Sequence, residues 1–139
     1  MNLETVFSVA SMLATVGWVV LALIPRRFLW PVRAARLVAL ALAFGYVALL
    51  ATFFARGEGG FGSLAGVGQL FQEPGLLLAG WVHYLAFDLL VGSWEREEAI
   101  RIGLGPLMLL PSLFLTFMFG PAGWLCFLGL RRFHQARQS

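Results

Sequence analysis

The sequence contains no lysine, one cysteine and two histidines among its 139 residues. The single cysteine, Cys126, excludes an intrachain disulfide and any metal site built from several cysteines. The two histidines, His83 and His134, are too few for a histidine-box metal centre, so we expect no metal and no cofactor. There is no P-loop and no Gly-x-Ser-x-Gly elbow. The glycine-rich stretch 57–62 follows no predicted strand and is interpreted as a loop.

Charged residues are also scarce, at 12% of the chain, whereas 60% of the residues are hydrophobic and the mean hydropathy is +0.83. A soluble domain of this size has too little interior to bury that much apolar surface, so we predict an integral membrane protein whose main partner is the lipid bilayer. All ten basic residues are arginines that flank apolar runs. Membrane topology and lipid headgroups explain them, and no nucleic-acid partner is expected.

Four apolar runs have roughly the length of a membrane span, at about 6–24, 37–54, 75–91 and 107–130. Because backbone hydrogen bonds in lipid must be satisfied within the segment, these runs predict helices. The expected fold is all-α: a bundle of four transmembrane helices forming one domain over 1–139. Between the second and third spans, Ser63 is placed to cap a short helix lying at the membrane interface.

Arginine counts give a weak orientation for this four-span arrangement. Six arginines fall on the side of the first and third connections and four on the other side. The excess predicts that both termini lie outside the cytoplasm, in a bacterial inner membrane. Residues 93–105 are interpreted as a charged connection that follows the third span.

The third span carries two polar residues at membrane depth, His83 and Asp88. An acid near the bilayer centre costs about 2.5–3.5 kcal/mol on insertion scales, so such residues are usually functional or paired. On a regular helix the two side chains point about 140° apart and lie ~7.5 Å apart along the axis. We expect Asp88 to pair with Arg33 or Arg36, to act as an acid or base, or to do both.

Three further residues of this stretch are candidates for the site. Tyr84 precedes Asp88 by one helical turn and is its natural neighbour. His83 either transfers protons or forms a hydrogen bond with a serine or threonine of another helix. Glu73 either provides a favourable charge at a helix N-terminus or guards the mouth of a cavity.

Two stretches of the sequence are distinctive: Trp81-Val-His83-Tyr-Leu-Ala-Phe-Asp88-Leu-Leu-Val-Gly92 and Phe119-Gly-Pro-Ala-Gly123. They resemble the neoxanthin synthase-like family, the plant proteins whose loss causes abscisic acid deficiency, and indicate a bacterial homologue. The resemblance implies a four-helix membrane protein that isomerises an epoxy-carotenoid without net redox change. It further implies that His83 and Asp88 divide the acid and base roles, and that Trp81, Tyr84 and Phe87 form the wall for a long apolar substrate.

The leading hypothesis is therefore a membrane-embedded carotenoid or isoprenoid isomerase that uses acid–base chemistry in an intramembrane cavity. One alternative is a membrane protein that binds a pigment or lipid without converting it. Another is a small subunit of a larger membrane complex. Ion transport is a weaker hypothesis, because one acid and one histidine per chain would require a homo-oligomer.

Overall fold

The computed structural model describes residues 2–137, and these form helices and connections without any strand. This confirms the all-α prediction. The six α-helices are α1 (Leu3–Leu23), α2 (Trp30–Phe53), α3 (Leu64–Leu70), α4 (Pro74–Arg101), α5 (Pro106–Phe119) and α6 (Pro121–Ala136), and a 3-10 turn, Phe54–Arg56, extends α2.

The helix starts follow from local sequence. Asn2 caps α1 by accepting hydrogen bonds from the backbone of its first turn. Four other helices have proline in their first turn, where a missing N–H costs nothing. Ser63 caps α3 as predicted, because its Oγ accepts from the backbone nitrogen of Gly66 at 3.0 Å. The interfacial position of α3 stays a prediction.

Three helices are long and apolar enough to cross a membrane: α1 with 21 residues, α2 with its 3-10 extension at 27, and α4 with 28. At ~1.5 Å per residue each reaches the ~30 Å of a hydrocarbon core. In its most apolar window α4 is 56% buried, against 28% for α1 and 22% for α2, so α4 is the central helix.

The fourth predicted span, 107–130, is not one continuous helix. It is divided at Gly120 into α5 and α6, of 14 and 16 residues, and at about 21 and 24 Å neither crosses the hydrocarbon core alone. Pro121 disfavours a helical conformation at Gly120, which adopts a φ of +46° that glycine tolerates. The prediction of four spans is therefore not confirmed.

The two short helices fold back on each other as a hairpin. A Cβ atom added to Gly123, at the start of α6, would overlap the backbone nitrogen of Thr116 in α5. Farther along α6, Phe127 packs against the ring of Trp94, and Arg131 forms an ion pair with Glu98 at 2.9 Å. The α6 helix thus returns toward the end of α4 from which α5 departs.

The hairpin covers only one half of the bundle. Buried residues near the start of α4 pack with α1, α2 and Leu70 of α3. Buried residues near the end of α4 pack with α1, α2 and the hairpin, which contributes Leu109, Leu113 and Phe127. The face between α1 and the first half of α4 therefore receives no cover from α5 or α6.

The α4 helix is longer than the third predicted span, which ended at residue 91. It continues to Arg101, so most of the stretch interpreted as a charged connection is helical. Ion pairs within α4 and with two other helices accompany this extension. Glu97 binds Arg36 of α2 at 2.6 Å, and Glu98 binds both Arg101, at 2.6 Å, and Arg131 of α6.

The start of α1 and the second half of α6 lie at opposite ends of α4. Leu3 shares a cleft with Pro74 at the start of α4, whereas Arg131 pairs with Glu98 near its end. The expectation that both termini lie outside the cytoplasm depends on four complete crossings, and like them it is not confirmed.

Candidate functional site

A cleft of about 830 Å³ opens between α1 and the first half of α4. It exists because the α5–α6 hairpin turns at the level of Tyr84 and leaves the rest of that face uncovered. The lining is almost entirely apolar or aromatic: Leu3, Glu4, Phe7, Phe71, Pro74, Leu77, Leu78, Gly80, Trp81 and Tyr84. Its volume falls in the range typical of small-molecule sites.

An aromatic wall runs along the cleft. The ring centroid of Trp81 lies 5.7 Å from that of Phe7 and 5.5 Å from that of Tyr84, and it is stacked on Tyr84 at an interplanar angle of 28°. The indole nitrogen of Trp81 donates a hydrogen bond to the Oγ of Ser11 at 3.0 Å, which fixes the ring against α1. Such a rigid row of rings suits contact with a flat, conjugated ligand.

Tyr84 forms the floor of the cleft and holds the tip of the hairpin. Its hydroxyl donates to the carbonyl oxygens of Met118 at 3.0 Å and Phe117 at 3.3 Å. These carbonyls belong to the last turn of α5, where the helix offers them no internal partner. The Tyr84 side chain therefore both faces the cleft and caps the C-terminal end of α5.

Asp88 lies one turn beyond Tyr84 and is buried, with 9% of its surface exposed. A Cβ atom added to Gly120 would come within 2.6 Å of its Oδ1, so the carboxyl group rests on the hairpin tip. There it lies beside the start of α6, whose partial positive charge favours an acid. Its Oδ2 is buried and accepts no hydrogen bond from residues 2–137.

The predicted pairing of Asp88 with Arg33 or Arg36 is wrong. Arg36 instead binds Glu97 at 2.6 Å and donates to the Oγ of Ser93 at 3.3 Å. The unexpected length of α4 supplies these partners closer to the start of α2. Within the described residues, no arginine forms an ion pair with Asp88.

His83 and Phe87 lie on another face of α4, away from the cleft. The His83 ring stacks on Phe87 at 4.6 Å between centroids and lies 5.3 Å from Tyr46 of α2. His83 lines a separate cavity of about 200 Å³. The structure thus does not bring His83 and Asp88 together, and of the predicted wall residues it places Trp81 and Tyr84 in the cleft but not Phe87.

Glu73 occupies the N-cap position of α4, and its side chain makes no capping hydrogen bond. It lies ten residues before His83, about 15 Å along the helix, so the two cannot act on one atom. The acidic residue that lines the cleft is Glu4 of α1. Whether Glu73 guards an entrance stays a prediction.

Two almost completely buried charged residues of α4, Glu95 and Arg96, were not predicted. Glu95 is fully buried and accepts a hydrogen bond from the hydroxyl of Thr116 at 2.8 Å. Arg96 is 1% exposed and donates to backbone carbonyls at the end of α1. Ending the third span at residue 91 placed both residues in a loop. The absence of a helix breaker between Gly92 and Gly103 could have revealed them.

The site combines an apolar cleft with two groups that can exchange protons. The phenol of Tyr84 reaches the cleft, and behind it lies the carboxyl group of Asp88, which forms no ion pair within residues 2–137. Within residues 2–137, no three His, Cys, Asp or Glu side chains are grouped so that they could hold a metal ion.

One comparison with known proteins gave a match. The sequence model of the family described as ABA DEFICIENT 4-like matches residues 5–127, which include Asp88, the hairpin tip and all of the cleft lining except Leu3 and Glu4. This confirms the resemblance found in the sequence. Neither the curated proteins nor the solved structures gave a match.

Proposed function

Because the chain belongs to the ABA DEFICIENT 4-like family, we propose that it binds a carotenoid or related isoprenoid in the cleft and isomerises it by acid–base chemistry. The family itself suggests a carotenoid-related function. One observation carries the finer proposal: the aromatic wall of the cleft ends at Tyr84, one helical turn before the buried carboxyl group of Asp88.

The cleft fits this class of ligand by shape and by chemistry. A carotenoid is long, flat and apolar, and it is dissolved in the same bilayer onto which the cleft opens. Trp81 offers it a ring that is already fixed by Phe7, Tyr84 and the hydrogen bond to Ser11, so little conformational entropy is lost on binding.

The proposed reaction moves protons and leaves the oxidation state unchanged. An acid protonates the oxygen of an epoxide, the carbon–oxygen bond opens, and a base removes a proton from a neighbouring carbon, which returns the proton balance to its start. Tyr84 is the group that reaches the cleft, and Asp88 exchanges protons with it from behind. His83 is separated from the cleft by Phe71 and Gly80, which line both cavities, so it reaches the same ligand only if Phe71 moves.

The first test is to extract small molecules from the full chain, purified gently from carotenoid-producing cells, and to identify them by mass spectrometry. We expect a bound carotenoid or isoprenoid, and we expect Trp81→Ala to reduce its amount about tenfold because a stacked aromatic anchor is lost. The matched control is Trp124→Ala: Trp124 is 42% exposed against 40% for Trp81 but lies outside the cleft. Equal retention in the two variants would contradict the proposed binding site.

A non-catalytic binding protein is the alternative that one observation favours. The packing of Asp88 against Gly120 gives the carboxyl group a structural role that requires no reaction. In that case the extracted ligand would be identical with the ligand supplied, and variants of Asp88 would change stability without changing any product.

We also propose an orientation in the membrane. With the hairpin folded back, nine arginines lie toward the end of α4 (Arg26, Arg27, Arg33, Arg36, Arg96, Arg101, Arg131, Arg132 and Arg137), whereas Arg56 alone lies toward its start. Because arginines are enriched on the cytoplasmic side of a membrane, this excess favours a cytoplasmic position for the end of α4 and for α6. The start of α1 then lies outside the cytoplasm. The proposed membrane is the bacterial inner membrane.

Cysteine labelling checks this orientation. In a Cys126→Ser background, Gly62→Cys is expected to react with an impermeant maleimide on intact spheroplasts. Arg137→Cys is expected to react only after lysis. Labelling of both positions from one side would contradict the hairpin and favour four complete crossings.

A further inference from the structure

A second cavity, of about 310 Å³, lies at the arginine-rich end of the bundle and has no role in the proposed reaction. It is enclosed by the end of α1, the start of α5 and α4. Two arginines, Arg26 and Arg96, line it together with Pro106 and the apolar side chains of Leu21, Leu109 and Leu110.

Arg96 is a buried cation that forms no ion pair within the part of the chain that the structure describes. Its terminal nitrogens donate to the carbonyl oxygens of Leu21, of Ile24 at 2.8 Å and of Pro25 at 3.3 Å. Arg96 therefore caps the C-terminal end of α1. These carbonyl groups accept from its terminal nitrogens but do not neutralise its charge. Glu95, the adjacent acid, is hydrogen-bonded to Thr116 instead.

Arg26 adds a second positive charge to the same cavity. The two guanidinium groups are close enough to repel each other, and within residues 2–137 neither forms an ion pair with a carboxylate. The Nε atoms of both are buried and make no hydrogen bond with the described residues. An unneutralised buried charge is costly, so this arrangement favours an anion in the cavity.

The start of α5 contributes a third source of positive potential. Pro106 lines the cavity at the first turn of this 14-residue helix, and the partial positive charge of a helix N-terminus attracts anions. Apolar side chains of the same helix line the rest of the cavity, so the cavity combines a positively charged part with an apolar wall.

We propose that this cavity binds a phosphate group, carried either by a membrane phospholipid or by a free phosphate compound. Guanidinium groups bind phosphate oxygens with strong, charge-assisted hydrogen bonds. The location suits this ligand, because the ends of the spans lie at the depth of lipid phosphates. The apolar flank formed by Leu109 and Leu110 is suited to the first carbons of an attached chain.

The test measures binding to the purified full chain in a non-ionic detergent by native mass spectrometry. One arm titrates phosphatidylglycerol, and the other titrates inorganic diphosphate. Arg26→Gln is expected to weaken phosphate binding about tenfold or more, because a charged hydrogen-bond donor is lost. Arg27→Gln is the matched control, since Arg27 is exposed, contacts the ring of Phe28 and does not line the cavity.

Arg96→Gln would also remove the hydrogen bonds that cap the end of α1 and could disturb the fold. The test therefore uses Arg26→Gln, after its thermal stability has been shown to equal that of the unmodified protein. Binding of phosphatidylglycerol that diphosphate does not displace supports a lipid headgroup. Displacement by diphosphate supports a free phosphate compound. If Arg26→Gln binds both probes as tightly as Arg27→Gln does, the proposal is overturned.

Discussion

Replacing Asp88 with asparagine is expected to lower the rate of isomerisation by about 10²–10⁴-fold, the usual contribution of a general acid or base. Asparagine has nearly the same shape as aspartate and fits against Gly120. Its amide, however, cannot exchange a proton with Tyr84. Because Asp88 does not line the cleft, the amount of bound ligand should stay unchanged. Product formation and ligand content are both measured in membranes from carotenoid-producing cells.

Glu95→Gln is the matched control for this experiment. Glu95 is a buried carboxyl group of the same helix, two turns farther along, and glutamine can still accept the hydrogen bond from Thr116. We expect it to leave the rate within a few-fold of the unmodified protein. A rate that falls equally in Asp88→Asn and Glu95→Gln would indicate general damage to the bundle and would remove the case for proton transfer at Asp88.

The role of His83 is separated from that of Asp88 by the same assay. Because His83 lines a different cavity with Tyr46, His83→Asn is expected to change the rate far less than Asp88→Asn does. A loss as large as that of Asp88→Asn would show that the two cavities join around the ligand, as the sequence interpretation with His83 in a catalytic role requires.

Features that depend on local sequence were predicted well. The apolar runs predicted α1 and most of α2 as helices long enough to span a membrane, because a backbone in lipid has few alternatives to a helix, although α2 begins at Trp30 and not at the predicted residue 37. Ser63 predicted the start of α3 correctly, because a capping side chain binds a backbone nitrogen within three residues of its own position. The 140° angle between His83 and Asp88 followed from helix geometry alone, and the two side chains indeed lie on different faces.

Features that depend on contacts between distant segments were not predicted. The partner of Asp88 is Gly120, 32 residues later, and the partner of Arg36 is Glu97 at the end of α4. Hydropathy made 107–130 resemble one span, because a hairpin of two apolar helices and a single long helix have the same composition. Gly120-Pro121 was visible in the sequence, but only the packing of α6 along α5 distinguishes a fold-back from a kink.

Gly123→Ala is expected to open this hairpin and to destabilise the protein by about 1–3 kcal/mol or more, the usual cost of overpacking. The added methyl group would overlap the backbone nitrogen and the hydroxyl of Thr116, and a backbone atom cannot move aside as a flexible side chain can. Thermal unfolding of the purified full chain in detergent measures the loss.

Gly129→Ala provides the control on the same helix, because a Cβ atom at Gly129 meets nothing within 4 Å and alanine is the better helix former. It should leave stability unchanged or raise it slightly. The hairpin tip also positions the site, since Tyr84 binds the last carbonyls of α5 and Asp88 rests on Gly120. Gly123→Ala should therefore lower isomerisation even at temperatures where the protein stays folded. Full stability and full activity in this variant would mean that α5 and α6 do not pack as a hairpin.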